Sequence, residues 1–128
     1  NDALFKAASR LSGGGGLTGL GNCGSFTGGA LVIGQLCGCE RKNISKRKCY
    51  TLSSGIVGLV ADEFKREYES FICRDIQVKL YGCYYDFKHN EDIEQYRKSK
   101  FAVNSSNVVG KGTQIAMKLI LDEGLLKI

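Results

Sequence analysis

KRKCYTLSSGIVGLVADEFKREYES, Lys46 to Ser70, carries the clearest helical periodicity in the chain. Ile56, Val57, Val60 and Phe64, with Phe71 just beyond, fall near one stripe at 3.6-residue spacing, while Asp62, Glu63, Lys65, Arg66 and Glu69 fall mostly on another. A segment sorted in this way is an amphipathic helix with one face toward a core. It predicts a helix from about Lys46 or Cys49 to Ser70 and a fold built by helix packing.

Toward the N-terminus, Phe26, Ala30, Leu31, Ile33 and Leu36 leave no polar face except Gln35 between about Gly24 and Cys37, which predicts a buried helix. Gly28, Gly29 and Gly34 are costly in a helix, about 1 kcal/mol each relative to alanine, so close approach of neighbouring backbones is the expected reason for them. A first helix from about Asp2 to Leu11 has Leu4, Ala7, Ala8 and Leu11 at helical spacing and Asp2 in its first turn. The run Gly13-Gly14-Gly15-Gly16 ends it, and the glycine-rich stretch from Ser12 to Gly24 is either a ligand cradle or a flexible tether.

Toward the C-terminus, short helices are expected at Cys73–Leu80 and Asp92–Lys98, joined by a polar, aromatic-containing connection from Gly82 to Asn90. A last helix is expected from about Ser106 to Gly124, capped by Ser105 or Ser106, with Val109, Ile115, Ala116, Leu119 and Ile120 on its core side. Strand alternation never persists, and no repeat recurs at a fixed period. The expected fold is all-α: a compact bundle or orthogonal array of about four main helices with a glycine-rich loop, residues 1–128 forming one domain.

Six cysteines, seventeen glycines and neither proline nor tryptophan mean that turns are made by Gly, Asn and Ser. The net charge of +5 is concentrated in Arg41, Lys42, Lys46, Arg47 and Lys48, and a solvated loop is the plain reading of that patch. No aromatic RNA-binding signature accompanies it, so a nucleic-acid partner is not expected. The apolar stretch from Phe26 to Cys39 is interrupted by Gln35 and glycines and falls short of the roughly 20 residues of a membrane helix.

Cys23, Cys37, Cys39, Cys49, Cys73 and Cys83 are the candidate chemistry-bearing residues. Cys37-Gly38-Cys39 sets two thiols two residues apart, and Cys49 returns after the cationic loop, whose positive charge favours thiolate. Thiolates in such a setting suit iron–sulfur or metal ligation, thiol–disulfide exchange or persulfide chemistry; an even count also allows three disulfides. The C-x-x-C and C-x-x-C-H patterns are absent, so neither a thioredoxin-type motif nor c-type haem attachment is expected. His89, the single histidine, reads as a surface side chain, which argues against a hydrolase triad.

The stretches Ala7–Gly16 (AASRLSGGGG), Gly21–Gly34 (GNCGSFTGGALVIG), Ile72–Ile76 (ICRDI) and Ser105–Gly110 (SSNVVG) together resemble the C-GCAxxG-C-C family of redox-active proteins over nearly the whole chain. The resemblance implies that Cys23 and Cys73 are the family cysteines. It sets Gly16 near the family's glycine-loop cysteine, Leu17 in place of its alanine and Ser105 near its closing cysteine. The family's first cysteine would fall before Asn1, as in a truncated or processed form. Relatives with a helical domain similar to that of split-Soret cytochromes imply cysteine-based electron transfer.

The resulting expectation is an iron–sulfur electron-transfer protein. Cys23 and Cys73 are joined by ligands drawn from Cys37, Cys39, Cys49 and Cys83, and the loop glycines Gly15, Gly16 and Gly21 donate N–H groups to the cluster sulfurs. A redox partner or larger complex is implied, a homo-oligomer is compatible, and reducing, cytoplasmic surroundings fit. The alternative is a non-catalytic interaction or structural subunit with structural or disulfide-bonded cysteines.

Overall fold

The computed structural model describes residues 1–99 and 101–126; Lys100, Lys127 and Ile128 of the expected 1–128 span lie outside the described residues. Among the described residues six α-helices form, where about four main helices and short ones were expected: α1 (Asp2–Ala8), α2 (Gly24–Cys37), α3 (Lys48–Tyr68), α4 (Cys73–Tyr81), α5 (Asn90–Lys98) and α6 (Phe101–Asp122). Single 3-10 turns follow α1 at Ser9–Leu11 and precede α3 at Arg41–Asn43. Among the described residues no strand forms beyond one antiparallel bridge, Asn22 with Ile72.

The long helices α2, α3 and α6 pack on one another and enclose the core. α3 supplies Ile56, Val60, Phe64 and Tyr68 at strict four-residue spacing, so the stripe read from the sequence is the buried one. Phe64, Ile33, Ile120 and Val60 are fully buried, each contributing roughly 1.5–3 kcal/mol of apolar transfer. Phe26 of α2 stacks on Phe71, ring centroids 5.1 Å apart, and meets Phe64 edge-on at 5.7 Å, which fixes the turn after α3 against the start of α2.

α2 and α6 approach closely because of two glycines. A Cβ on Gly29 would lie 3.1 Å from that of Ala116, and one on Gly112 would meet the Ser25 hydroxyl and come within 2.9 Å of the Phe64 ring. Gly28 and Gly34 have nothing within 4 Å of such an atom, so close packing explains Gly29 and not the other two. The hydroxyl of Ser25 donates to the Val108 carbonyl at 3.0 Å and ties the two helices together.

Two expectations are corrected. α2 is not buried all round: Phe26, Gly29 and Ile33 face the core, while Val32 and Leu36 are exposed. α6 starts at Phe101 rather than Ser106, so Ser105 and Ser106 lie inside the helix. Its buried residue near that end is Val108, and Val109 is exposed. Packing against α2, α3 and α5 overrides the weak helix preference of the Asn- and Ser-containing first turns. No described helix is long and apolar enough to cross a membrane.

Candidate functional site

Cys23 and Cys73 each stand at a helix start, Cys23 as the residue preceding α2 and Cys73 as the first residue of α4. The Asn22–Ile72 bridge brings the two starts together: the Cys23 amide donates to the Phe71 carbonyl at 2.8 Å and the Cys73 amide to the Gly21 carbonyl at 3.0 Å. Side chains alternate across an extended backbone, so Cys23 and Cys73 share the face opposite Asn22 and Ile72. They are diagonal neighbours, a relationship that sets Cα atoms roughly 7–8 Å apart.

The glycine-rich loop is a folded support for this pair. Gly13, Gly14, Gly15, Gly16 and Leu17 are five consecutive residues with positive φ, and Gly19 adds a sixth. The loop is closed by hydrogen bonds from Gly16 N to Arg10 O at 2.7 Å, Gly19 N to Gly13 O at 2.8 Å and Gly21 N to Gly14 O at 3.0 Å. Gly14 and Gly19 are buried, and the Tyr84 ring covers Gly19 while its hydroxyl donates to the Thr18 carbonyl at 2.7 Å. The Arg74 guanidinium lies 5.5 Å from that ring's centre.

The sulfurs border a cavity of about 470 Å³. Its walls come from α1, the loop, α2, α4, α5 and α6, with Phe5, Leu31, Ile76, Tyr81, Phe87 and Tyr96 among them. Serine, threonine, tyrosine and glutamine side chains and the two cysteines are its polar residues, and no charged residue lines it among the described residues. Gln77, one turn after Cys73 on the same face of α4, is buried and directs Nε2 at the Cys73 sulfur, 3.5 Å away. Its Oε1 accepts from the Tyr85 amide at 3.4 Å.

Burial pushes the Cys23 thiol above its ordinary value of 9.0; the Ser25 amide pulls it down, the neighbouring Cys73 pushes it up, and the Phe26 amide pulls it down. Burial also raises Cys73, against a lowering by Gln77. Desolvation thus outweighs the helix N-termini, and the resting pair is a protonated dithiol.

The other four cysteines lie elsewhere. Cys37 ends α2, roughly 20 Å along the helix axis from Cys23, and donates to the Ile33 carbonyl at 3.3 Å. Cys39 and Cys49 form a disulfide with Cα atoms 5.2 Å apart, which encloses all five cations of the basic patch. That pairing replaces the thiolates expected beside those cations, and burial raises rather than lowers the Cys37 thiol. Lys42 pairs with Glu40 at 2.8 Å within the loop. Cys83 is exposed beyond the far end of α4, and His89 is exposed with Nε2 3.9 Å from an Asp86 carboxylate oxygen.

Among the expected loop residues, Gly21 contacts the pair through its carbonyl, whereas Gly15 and Gly16 have open space around them. Gly13 and Gly24 line the cavity and Gly14 touches Cys73. Gln77 went unread, although its spacing of four residues from Cys73 is a usable signal once α4 is recognised. No group of three or more His, Cys, Asp or Glu side chains capable of holding a metal forms among the described residues. An iron–sulfur cluster with four cysteine ligands takes two thiolates beyond the pair that this cavity offers.

The family model described as "Putative redox-active protein (C_GCAxxG_C_C)" matches residues 1–119. No curated protein and no solved structure matches the chain.

Proposed function

Starting from a chain that belongs to the C_GCAxxG_C_C family of redox-active proteins, we propose that its redox centre is the Cys23–Cys73 pair, cycling between dithiol and disulfide. The observation that carries this reading is the placement of both residues beside one bridge, on one face, at the wall of one cavity. A disulfide takes Cα atoms about 4.4–6.8 Å apart, so diagonal neighbours reach it with a shift on the order of 1 Å. The glycine loop holds the start of α4, with Gly14 against Cys73 and the Gly21 carbonyl accepting from the Cys73 amide.

On oxidation both S–H bonds break and one S–S bond forms, with two electrons and two protons passing to the oxidant. Gln77 stays within reach of the sulfur of Cys73, and the Ser25 and Phe26 amides favour negative charge on Cys23 as its proton leaves. The Cys39–Cys49 disulfide, at the other end of α2, is the structural use of cysteine in the same chain.

The test is oxidation of the reduced chain with diamide under anaerobic conditions, followed by non-reducing peptide mapping. A Cys23–Cys73 crosslinked peptide, absent from Cys23→Ser and Cys73→Ser variants, is the expected result. Failure of that peptide to form, with both thiols still alkylatable, overturns the reading. Iron and acid-labile sulfide in protein purified without oxygen, lost together in both variants, would replace the disulfide cycle with a cluster whose other ligands come from outside this cavity.

A further inference from the structure

The geometry points to a neutral quinone as the oxidant that the Cys23–Cys73 dithiol reduces, bound in the apolar cavity between α1, α2, α4 and α6. This rests on the dithiol reading above and adds its substrate.

Three features of the cavity select the class. First, among the described residues no lysine, arginine, histidine, aspartate or glutamate lines it, so a phosphate- or carboxylate-bearing oxidant would find no charged partner there. Charged dinucleotides and peptide-like thiols are disfavoured on that ground. Second, a space of about 470 Å³ with Phe5, Tyr81, Phe87 and Tyr96 in its walls suits a flat ring with short apolar substituents. Third, its few polar groups, including Ser25, Gln77 and Ser105, match a ligand carrying few acceptors.

The reaction balances with what the site holds. A quinone takes two electrons and two protons, and the dithiol releases both sets. The sulfur of one cysteine attacks a ring carbonyl carbon; the second sulfur then attacks the first, forming the S–S bond as the C–S bond breaks and the ring leaves. The electron pair stays on the ring, and the two thiol protons end on its two oxygens. Because burial holds both thiols protonated, the protons are present when the ring binds. Hydroquinone leaves as an uncharged product, in keeping with uncharged walls.

Gly28 provides the means to test occupancy. It lines the cavity, and a Cβ there would have nothing within 4 Å, so Gly28→Leu fills space without collision in a helix that favours leucine over glycine. Gly58, on the exposed side of α3 and equally open, is the matched control as Gly58→Leu.

The experiment mixes the reduced full chain, freed of reductant and oxygen, with tetramethyl-1,4-benzoquinone, whose ring positions are blocked against thiol addition. Hydroquinone is followed by ultraviolet absorbance and the crosslink by peptide mapping. We expect one hydroquinone per Cys23–Cys73 disulfide, no reaction in Cys23→Ser or Cys73→Ser, and a rate lowered by about tenfold in Gly28→Leu as apolar contact in the cavity is lost. Gly58→Leu should react as the wild type does. If diamide forms the crosslink but the quinone stays oxidised, or if Gly28→Leu and Gly58→Leu react alike, the quinone assignment is wrong and the dithiol reading stands. If neither oxidant forms the crosslink, both are wrong.

Discussion

Gly14 and Cys73 meet where there is room for a hydrogen and little more: a Cβ on Gly14 would lie 3.1 Å from that of Cys73 and 2.7 Å from the Gly19 carbonyl carbon. Gly14 also has φ of +75°, and Gly16, two residues on, has φ of +59° with open space around it. The two positions separate strain from collision. Gly16→Ala should cost only the left-handed backbone term, about 1–2 kcal/mol. Gly14→Ala should cost that and roughly 1–3 kcal/mol more for overpacking. Urea unfolding of both variants checks this, and equal losses would show that the loop does not rest on Cys73.

Gln77 opposes, through one hydrogen bond, the larger upward push that burial gives the Cys73 thiol. Its amide favours the thiolate, so Gln77→Leu should raise the Cys73 thiol further and slow its alkylation by iodoacetamide near pH 8 by a few-fold. The same change strips the Tyr85 amide of its acceptor, which costs about 1–3 kcal/mol if that amide stays buried. Site-resolved alkylation by mass spectrometry separates the two effects, because the half-buried Cys37, remote from Gln77 at the end of α2, reports on general loosening. An unchanged Cys73 rate would remove Gln77 from the site.

The helical class and the ends of α2 were legible because apolar periodicity and the glycines after it speak directly to helix packing. Cys23 and Cys73, singled out through the residues flanking them, lie beside one backbone bridge. Their partner set was not legible. Ligands were expected from Cys37, Cys39, Cys49 and Cys83, but α2 holds the first three at its other end and Cys83 is exposed beyond α4. Cys39 and Cys49 find each other because α2 and α3 are joined by a short turn there. Likewise Gly15 and Gly16 look like any other glycines in the run, and only the hydrogen bonds that close the loop decide that Gly13, Gly14 and Gly21 face the sulfurs. The cavity was unreadable, since its walls come from five helices and one loop whose relative placement no local pattern encodes.

Alkali should destabilise the reduced fold more than unshifted thiols would. Cys23, Cys37 and Cys73 are all raised above 9.0 by burial, so the folded state retains thiol protons that the unfolded chain releases. With more protons bound in the folded state, the free energy of unfolding falls as pH rises past 9.0; the contribution is fully present below that value. Tyr68, Tyr81 and Tyr84, raised above 10.0, act in the same direction at higher pH. Urea titrations under reductant between about pH 8 and 10 should show the decline, and a Cys23→Ser/Cys73→Ser variant should show a shallower one. A wild-type slope no steeper than the variant's would contradict the burial of these thiols.

The two sulfur sites should behave independently. Cys39 and Cys49 are ten positions apart, and the entropy of closing a loop of that size is worth about 2–3 kcal/mol in the chain-entropy model. Cys39→Ser/Cys49→Ser should therefore lower the unfolding free energy by about that much and loosen the loop that carries Arg41, Lys42, Lys46, Arg47 and Lys48. It should leave oxidation of the Cys23–Cys73 pair unchanged, because about 20 Å of helix α2 lies between them and its far end is held by Phe26, Phe64 and Phe71. Peptide mapping after graded reduction with dithiothreitol, in the wild type and in this variant, reads both sites at once. A shift in the Cys23–Cys73 midpoint of more than a few-fold in reductant concentration would mean that the helix transmits what the disulfide does, and that the chain works as one coupled redox unit.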